Sequence, residues 1–320
     1  MTQEDPTPSP TPFRCGYAAL LGCPNAGKST LLNQILGSKL AITSSKPQTT
    51  RNRIAGIHTD ASMQAILVDT PGIHDPFTEL NKSMVDRAVS ALEDVDVVFF
   101  LGDMTDLARR AERGESVFGG PEGHIVRLLS AVTKPIVFVA NKIDVVPIPL
   151  LLPVFEAADR ELQPIANLPI SALTGDGVDA LLEVLRTALP EGPALFPPDE
   201  WAQVTERFLV AEIIREKIFH LTEQEVPYAT HVEVRQFDET ERDRPGGGIV
   251  RIFADVVVER STQKGIVIGK GGSMLKRIGT LSRKELQDVL DCRVHLELFV
   301  KVERDWTRTA RGLRKVGFQD

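Results

Sequence analysis

The segment Gly22-Cys-Pro-Asn-Ala-Gly27-Lys28-Ser29 carries the densest chemistry in the chain. It has the spacing GxxxxGK[ST] and follows the apolar run Tyr17-Ala-Ala-Leu-Leu21, with Thr30-Leu-Leu-Asn-Gln-Ile-Leu36 suited to a helix behind it. Gly22 and Gly27 let the backbone curl tightly around a phosphate, with amide N–H groups pointing inward at the positive end of the helix dipole. Pro24, Asn25, Ala26 and Gly27, continued by Lys28, Ser29 and Thr30, form the expected cradle. Lys28 is placed to reach the β- and γ-phosphates, and the Ser29 hydroxyl to ligate Mg²⁺.

Further signals follow in the order that a guanine-nucleotide switch requires. Asp69-Thr-Pro-Gly72 closes the apolar run ending at Val68. A carboxylate there can hold Mg²⁺ through water, and the Gly72 N–H can meet a γ-phosphate. Asn141-Lys-Ile-Asp144 closes the run Ile136–Ala140. Guanine presents N1–H and a 2-amino group side by side, and the Asp144 carboxylate accepts both. Adenine offers neither and would leave that charge unpaired. Asn141 can reach N7 and brace the loops, and the Lys142 stem can cover a face of the base. Ser171-Ala172, with Leu173 next, comes after another short run and offers backbone N–H to the O6 of guanine. In the intervening stretch Ser44-Ser-Lys-Pro-Gln48-Thr49-Thr50-Arg51, one threonine hydroxyl is expected to complete the Mg²⁺ shell, Thr50 ahead of Thr49.

Two residues bear on rate. Ile73 follows Gly72, and an apolar side chain cannot orient an attacking water, so hydrolysis is expected to be slow or helped from outside. Asn25 either holds a K⁺ beside the phosphates through its carbonyl oxygen, or is a turn residue with a local hydrogen bond.

The elements that must position these groups follow from patterning. The chain has 320 residues, 42% hydrophobic and 25% charged, enough for two cores of a soluble globular protein. No run approaches the ~18 apolar residues of a membrane span. Residues 1–12 are rich in Pro, Thr and Ser, with Glu4 and Asp5, and read as a disordered tail on a cytoplasmic protein rather than a signal peptide. The three cysteines are too few and scattered for a disulfide framework or a zinc site, and the six histidines form no ligand-spaced pair. Over residues 13–190 the apolar runs Tyr17–Leu21, Met63–Val68, Val95–Gly102, Pro135–Ala140 and Asn167–Pro169 alternate with helical stretches such as Asn81–Glu93 and Asp179–Leu189. That alternation predicts a mostly parallel sheet with helices on both faces. Asp106–Gly123 reads as a surface loop. Pro193, Pro197 and Pro198 mark a linker over residues 191–203.

Residues 204–306 have a different order: a helix at Phe208–Leu221, strands at His231–Phe237 and Gly248–Val258, two helices flanking Gly269-Lys270-Gly271-Gly272, and a strand at Arg293–Val302. Residues 307–320 are left as a C-terminal segment. Net charge is −7, yet Lys264, Lys270, Lys276, Arg277, Arg283 and Lys284 lie in a window without Asp or Glu. A GxxG loop between helices can clamp a single-stranded backbone, with Ile268 and its apolar neighbours as the groove floor. Single-stranded RNA is the expected ligand, because such a clamp reads splayed bases rather than a duplex groove.

Together these motifs resemble the bacterial Era-family GTPases from Cys15 to Phe318. The resemblance rests on Pro24-Asn-Ala-Gly-Lys-Ser-Thr-Leu-Leu-Asn33, Gln48-Thr-Thr-Arg51, Asp69-Thr-Pro-Gly-Ile-His74, Asn141-Lys-Ile-Asp144 and Ser171-Ala172. It continues in Ala211-Glu-Ile-Ile-Arg-Glu-Lys217, Pro227-Tyr228, Val267-Ile-Gly-Lys-Gly-Gly272 and His295-Leu-Glu-Leu-Phe-Val-Lys-Val302. The sequence departs in the Pro-rich tail, in Asp106–Gly123 and around Pro245. The resemblance implies a P-loop GTPase domain followed by an α+β type II KH domain, and GTP/GDP and Mg²⁺ as ligands. It also implies binding to the 3′ end of small-subunit ribosomal RNA, a role in small ribosomal subunit assembly, a monomer, and peripheral association with the inner face of the cell membrane. Two other readings stand beside it: an RNA-binding module whose nucleotide domain is a scaffold without turnover, and a membrane signalling GTPase whose basic face meets lipid.

Overall fold

The computed structural model describes residues 12–44, 46, 49–52, 54–72, 79–245 and 247–316. Ser45, Pro47, Gln48, Ile73 and residues 1–11 of the expected tail lie outside the described residues.

The first domain is built on β1 (Arg14–Gly22), β2 (Ile54–Thr59), β3 (Met63–Asp69), β4 (Val97–Asp103), β5 (Ile136–Asn141) and β6 (Ala166–Ile170). The sheet order is β2-β3-β1-β4-β5-β6. Only β2 runs antiparallel, on β3. β1 pairs in parallel with both β3 and β4. The chain thus leaves β1 first to one side and then to the other, which opens a crevice at the carboxyl ends of the strands. β3 and β5 are buried along their whole length, as strands covered on both faces must be. One face packs Leu21, Val98, Phe100 and Phe138 under helices, the other Leu20, Leu31, Leu67 and Phe99. The helices are α1 (Lys28–Leu36), α2 (Glu79–Ser90), α3 (Met104–Glu112), α4 (Glu122–Leu129), α5 (Leu151–Glu161) and α6 (Val178–Ala188).

Within the expected loop at Asp106–Gly123, α3 takes up residues 106–112 and α4 begins at Glu122, which leaves a loop over residues 113–121. Asp103 caps α3 by accepting from the Thr105 N–H, and Leu107 and Ala108 turn inward. Beyond α3, Phe118 is buried against Phe100 and Phe138, with ring centroids 6.1 and 5.7 Å apart. The Arg-Arg and Gly-Gly pairs that suggest a loop occupy the outer face and the turn. β2, α5 and a C-terminal helix are absent from the sequence-based assignment. β2 is short and half-exposed, so it lacks the continuous apolar run of its neighbours.

The expected linker is held down. The Gln64 side chain accepts from the N–H groups of Leu195 and Phe196 and donates to the Phe196 carbonyl. The Ile57 and Gln203 N–H groups donate to Trp201 and Ala55 carbonyls, which covers the β2 edge.

The second domain runs α7 (Glu206–Leu221), β7 (His231–Glu241), β8 (Ile249–Val258), α8 (Ser261–Ile268), α9 (Ser273–Leu290), β9 (Arg293–Val302) and α10 (Ala310–Lys315). β8 pairs antiparallel with β7 and parallel with β9. β7 runs on to Glu241, past the expected end at Phe237, while β8 starts at Ile249, and Arg251 pairs with Glu241 across the hairpin. α7 and α9 cover the inner sheet face through Ile214, Ile218, Ile278 and Leu286 against Val250, Ile252 and Val256.

The domains meet on a separate apolar cluster, Leu80 and Met84 of α2 against Val257, Trp306, Leu313 and Val316. Trp306 is fully buried and donates to the Ala229 carbonyl. His231 packs 5.9 Å from its ring. Burial, reinforced by the charges of Arg51 and Arg215, pushes the His231 pKa down to about 3. An unfolded imidazole titrates near 6.5, so between those values the unfolded chain binds a proton that the native chain refuses, and stability falls as pH drops through that window. His231→Gln is expected to flatten this dependence: the thermal midpoint of the wild type should fall more between about pH 7 and pH 5 than that of the variant. Parallel curves would remove His231 from the acid response.

Candidate nucleotide site and RNA interface

Five strand ends converge on one cavity of about 560 Å³, lined by residues that include Pro24, Asn25, Gly27, Lys28, Ser29, Thr30, Thr50, Gly72, Asn141, Lys142, Asp144, Ala172 and Leu173. The phosphate loop turns through left-handed geometry at Asn25 (φ 66°) and Gly27 (φ 97°). A side chain at Gly27 would also strike the Asn141 amide, its Cβ falling 2.1 Å from Nδ2. Gly72 is constrained by packing: a Cβ there would lie 2.7 Å from the Pro24 nitrogen. Lys28 is buried and donates to the carbonyls of Gly22 and Cys23, both at 3.0 Å, which stretches its ammonium along the inside of the loop.

Ser29, Thr50 and Asp69 meet although they come from three different segments. Ser29 Oγ donates to Asp69 Oδ2 at 2.7 Å, and Thr50 Oγ1 donates to the same oxygen at 3.0 Å. The two hydroxyls are 2.8 Å apart. The other carboxylate oxygen, Asp69 Oδ1, is buried with no hydrogen-bond partner among the described residues. Burial raises the Asp69 pKa, opposed by Lys28, Ser29 and Thr50; burial lowers that of Lys28, opposed by Asp69. A hard dication suits this cluster of oxygens, with one left over to receive it. Thr49 does not join them; its carbonyl accepts from Arg215.

At the base end Asn141 is a brace. Its Nδ2 donates to the Ala26 carbonyl at 2.7 Å, and its Oδ1 accepts from the Ala172 N–H at 2.9 Å. This corrects one expectation. The Ala172 N–H is taken by Asn141 and the Ser171 N–H by the Asp176 carbonyl, so neither is open to a base in this arrangement. Asp144 is exposed at the cavity, in a single tight turn after Lys142. Val145 and Leu173, 64% and 75% exposed, put apolar surface on the cavity rim where a flat base would lie.

Sequence reasoning misses Asp103. One oxygen caps α3, and the other pairs with the Lys142 ammonium. The signal was present: Asp103 ends the buried run Val97–Gly102 as Asp69 and Asn141 end theirs. Asp106, one turn into α3, also lines the cavity.

On the second domain the Gly269-Lys-Gly-Gly272 loop has positive φ at Gly269 (72°), Gly271 (59°) and Gly272 (79°). Cβ atoms at 271 and 272 would meet nothing within 4 Å, so another backbone can approach there. Lys270, Lys276, Arg277, Arg283 and Lys284 are exposed and Lys264 half-exposed. None of the six is an ion-pair partner among the described residues. Ile268 is half-buried beneath the loop, and Ile266 is 48% exposed beside it. No helix among the described residues is long and apolar enough to cross a membrane.

A phosphate loop backed by DxxG and NKxD at the ends of a mostly parallel sheet, joined to a GxxG domain, defines a P-loop GTPase with a C-terminal KH domain. Comparison with known proteins agrees. Residues 17–142 match the family described as 50S ribosome-binding GTPase, and residues 225–307 match the KH domain. GTPase Era of Geobacter metallireducens is 48% identical over 97% of this chain and 99% of its own. GTPase Era of Lactobacillus delbrueckii subsp. bulgaricus is 44% identical over 95% and 96%. A crystal structure of Era with MgGDPNP and nucleotides 1506–1542 of 16S ribosomal RNA has a TM-score of 0.88 at 37% identity, covering 96% of this chain and all of that one. An Aquifex aeolicus Era variant bound to GDP and aluminium fluoride gives 0.84 at 36%, with the same coverage. The chain belongs to the Era family of GTPases.

Asp103→Asn keeps an oxygen for the α3 cap and removes the partner of Lys142. A partly buried ion pair contributes ~1 kcal/mol, so GDP dissociation is expected to quicken by about fivefold. Stopped-flow release of a fluorescent GDP checks it. In a Lys142→Gln background the same change should add little; additive effects would assign Asp103 a role apart from Lys142.

Proposed function

We propose that this protein is a GTP-driven switch whose nucleotide state sets its grip on single-stranded small-subunit ribosomal RNA near the 3′ end, in small-subunit assembly. The observation that carries the coupling is the placement of Thr50. Its hydroxyl rests on Asp69 in the nucleotide site. The residues on either side are tied to the KH domain. The Thr49 carbonyl accepts from Arg215, and Arg51 donates to the carbonyls of Thr230, Pro227 and Tyr228. Thr50 cannot move away from the nucleotide without straining those contacts.

In this reading the loop amides from Asn25 to Thr30 hold the phosphates, Lys28 places its charge along them, and the Gly72 N–H meets the γ-phosphate. Asp144 selects guanine and Asn141 ties the two ends of the site together. Ser29 and Thr50, with Asp69 through water, would hold Mg²⁺, whose charge neutralises the transferring phosphoryl group when it is bound. Asn25, exposed on the loop, is the residue we assign to K⁺. Ile73 leaves the attacking water without a polar partner from that position, which makes intrinsic turnover slow. RNA binding is supported by the relative solved with 16S nucleotides and by the unpaired cations around Gly269–Gly272. The same reading makes the working unit a cytoplasmic monomer; contact with the membrane is implied by the family resemblance alone.

The test is RNA affinity by fluorescence anisotropy with a non-hydrolysable GTP analogue and Mg²⁺, then with GDP. A difference of at least about tenfold is expected, because a ligand shifts an equilibrium only by its differential affinity. Equal affinities would refute the switch. Replacing K⁺ by Na⁺ should slow steady-state hydrolysis; rates indifferent to the exchange would take K⁺ away from Asn25.

A further inference from the structure

A second set of cations lies outside the GxxG face. Between residues 304 and 315 the chain carries Arg304, Arg308, Arg311, Arg314 and Lys315 against the single carboxylate of Asp305. Lys315 is paired with Glu303. The four arginines are exposed, and none is an ion-pair partner among the described residues. Their backbone is nonetheless firmly held. Thr307 donates through N–H and hydroxyl to the buried Glu259, Thr309 caps α10, and Leu313 and Val316 pack under Trp306. Such a fixed array of guanidinium groups, without an ion-pair partner among the described residues, costs repulsion.

Its position relates it to the RNA loop. α8 starts directly after Arg260 and ends at Ile268, just before Gly269. The Lys264 N–H donates to the Arg260 carbonyl, which sets Arg260 at the N-cap of α8, one turn before Lys264. Arg260 and Arg308 then share the rim of a cavity of about 240 Å³ that also touches Leu80 and Asn81 of α2. α8 spans only ~12 Å, with Arg260 before its first residue, Lys264 within it and Lys270 just beyond its end, and Arg308 leads along the chain to Arg311 and Arg314 of α10. Glu225 on the same rim is the exposed exception, while Glu259 is turned inward.

We infer that Arg308, Arg311 and Arg314, with Arg260, form a second phosphate-binding surface, which takes the backbone of the same RNA beyond the bases held at the GxxG loop. This rests on the RNA-binding reading above and adds to it a surface, its ligand chemistry and an entry point to the switch. The Thr307 carbonyl accepts from the Leu80 N–H at the start of α2, the helix that follows the DxxG segment. RNA lying on this surface bears on the element next to the nucleotide.

The experiment uses the full chain and two RNAs carrying one 3′-terminal small-subunit sequence: a short one of roughly six nucleotides, little more than a KH groove clamps, and one of roughly thirty. The triple variant R308A/R311A/R314A should bind the long RNA about tenfold or more weakly, with the slope of log affinity against log salt reduced by about 2, as three single-strand phosphate contacts require. Its affinity for the short RNA and for GDP should match the wild type. A triple Lys variant at the same positions should restore the long-RNA affinity, since point charges suffice for phosphate. Unchanged long-RNA binding in the Ala variant overturns the surface and leaves the RNA reading intact. A wild type that binds neither RNA overturns the reading on which the surface rests. Vesicles with anionic lipid supply the rival: loss of vesicle binding in the Ala variant with long-RNA binding intact would assign the arginines to a membrane.

Discussion

The buried carboxylate of Asp69 is the constraint on which the rest of the structure depends. Taken from water without a partner, an ionised carboxylate costs more than a domain can supply. Here two hydroxyls from different segments and a nearby buried ammonium compensate one side of it, while one oxygen stays unpaired. The end of β3, the start of α1 and the segment around Thr50 are thereby drawn to one point. A site held by such short-range polar contacts responds sharply to whatever charge enters it, because the low local dielectric magnifies each interaction.

The second consequence is mechanical. The segment between α1 and β2 is a strap fastened to the KH domain mainly by cation contacts. Lys39 pairs with Glu216 and Glu285, which also receive Lys217. Lys46 donates to the carbonyls of Phe219 and Thr222 at the end of α7, where the helix dipole favours a cation. Arg51 is buried, satisfied by three carbonyls and stacked 5.8 Å from Trp306; burial and the neighbouring Arg215 bring its pKa down to about 9. A guanidinium in so specific a fork of acceptors is either seated or displaced, with little between. In the proposed switch, such a fork favours discrete release over gradual slackening.

Much of the nucleotide site was legible because its motifs are local. GxxxxGKS needs only a strand, a turn and a helix in succession, and DxxG and NKxD each end a buried strand whose apolar run is visible. The preference for Thr50 over Thr49 agrees with the side chain that reaches Asp69. The errors share a physical origin. Asp106–Gly123 was read as a loop because Arg and Gly pairs outweigh a buried Phe118 that only the sheet behind it explains. The Ala172 N–H was read as free because its acceptor, Asn141, lies 31 residues earlier in the chain. Asp103 was passed over because a lone acid at a strand end matches no motif.

By itself, then, the sequence determined the two domains' local chemistry: a GxxxxGKS turn, an NKxD carboxylate at a strand end, and a glycine loop flanked by cations. Each is written within a few consecutive residues, where backbone geometry dictates residue type. The tertiary structure alone decided how the two domains are joined. Arg51 meets Thr230 across 179 positions, Lys39 meets Glu285 across 246, and Trp306 closes the junction from the far end of the chain. Such contacts leave no periodic trace, because any cation in a polar strap looks alike until folding shows which carbonyls and carboxylates stand opposite it.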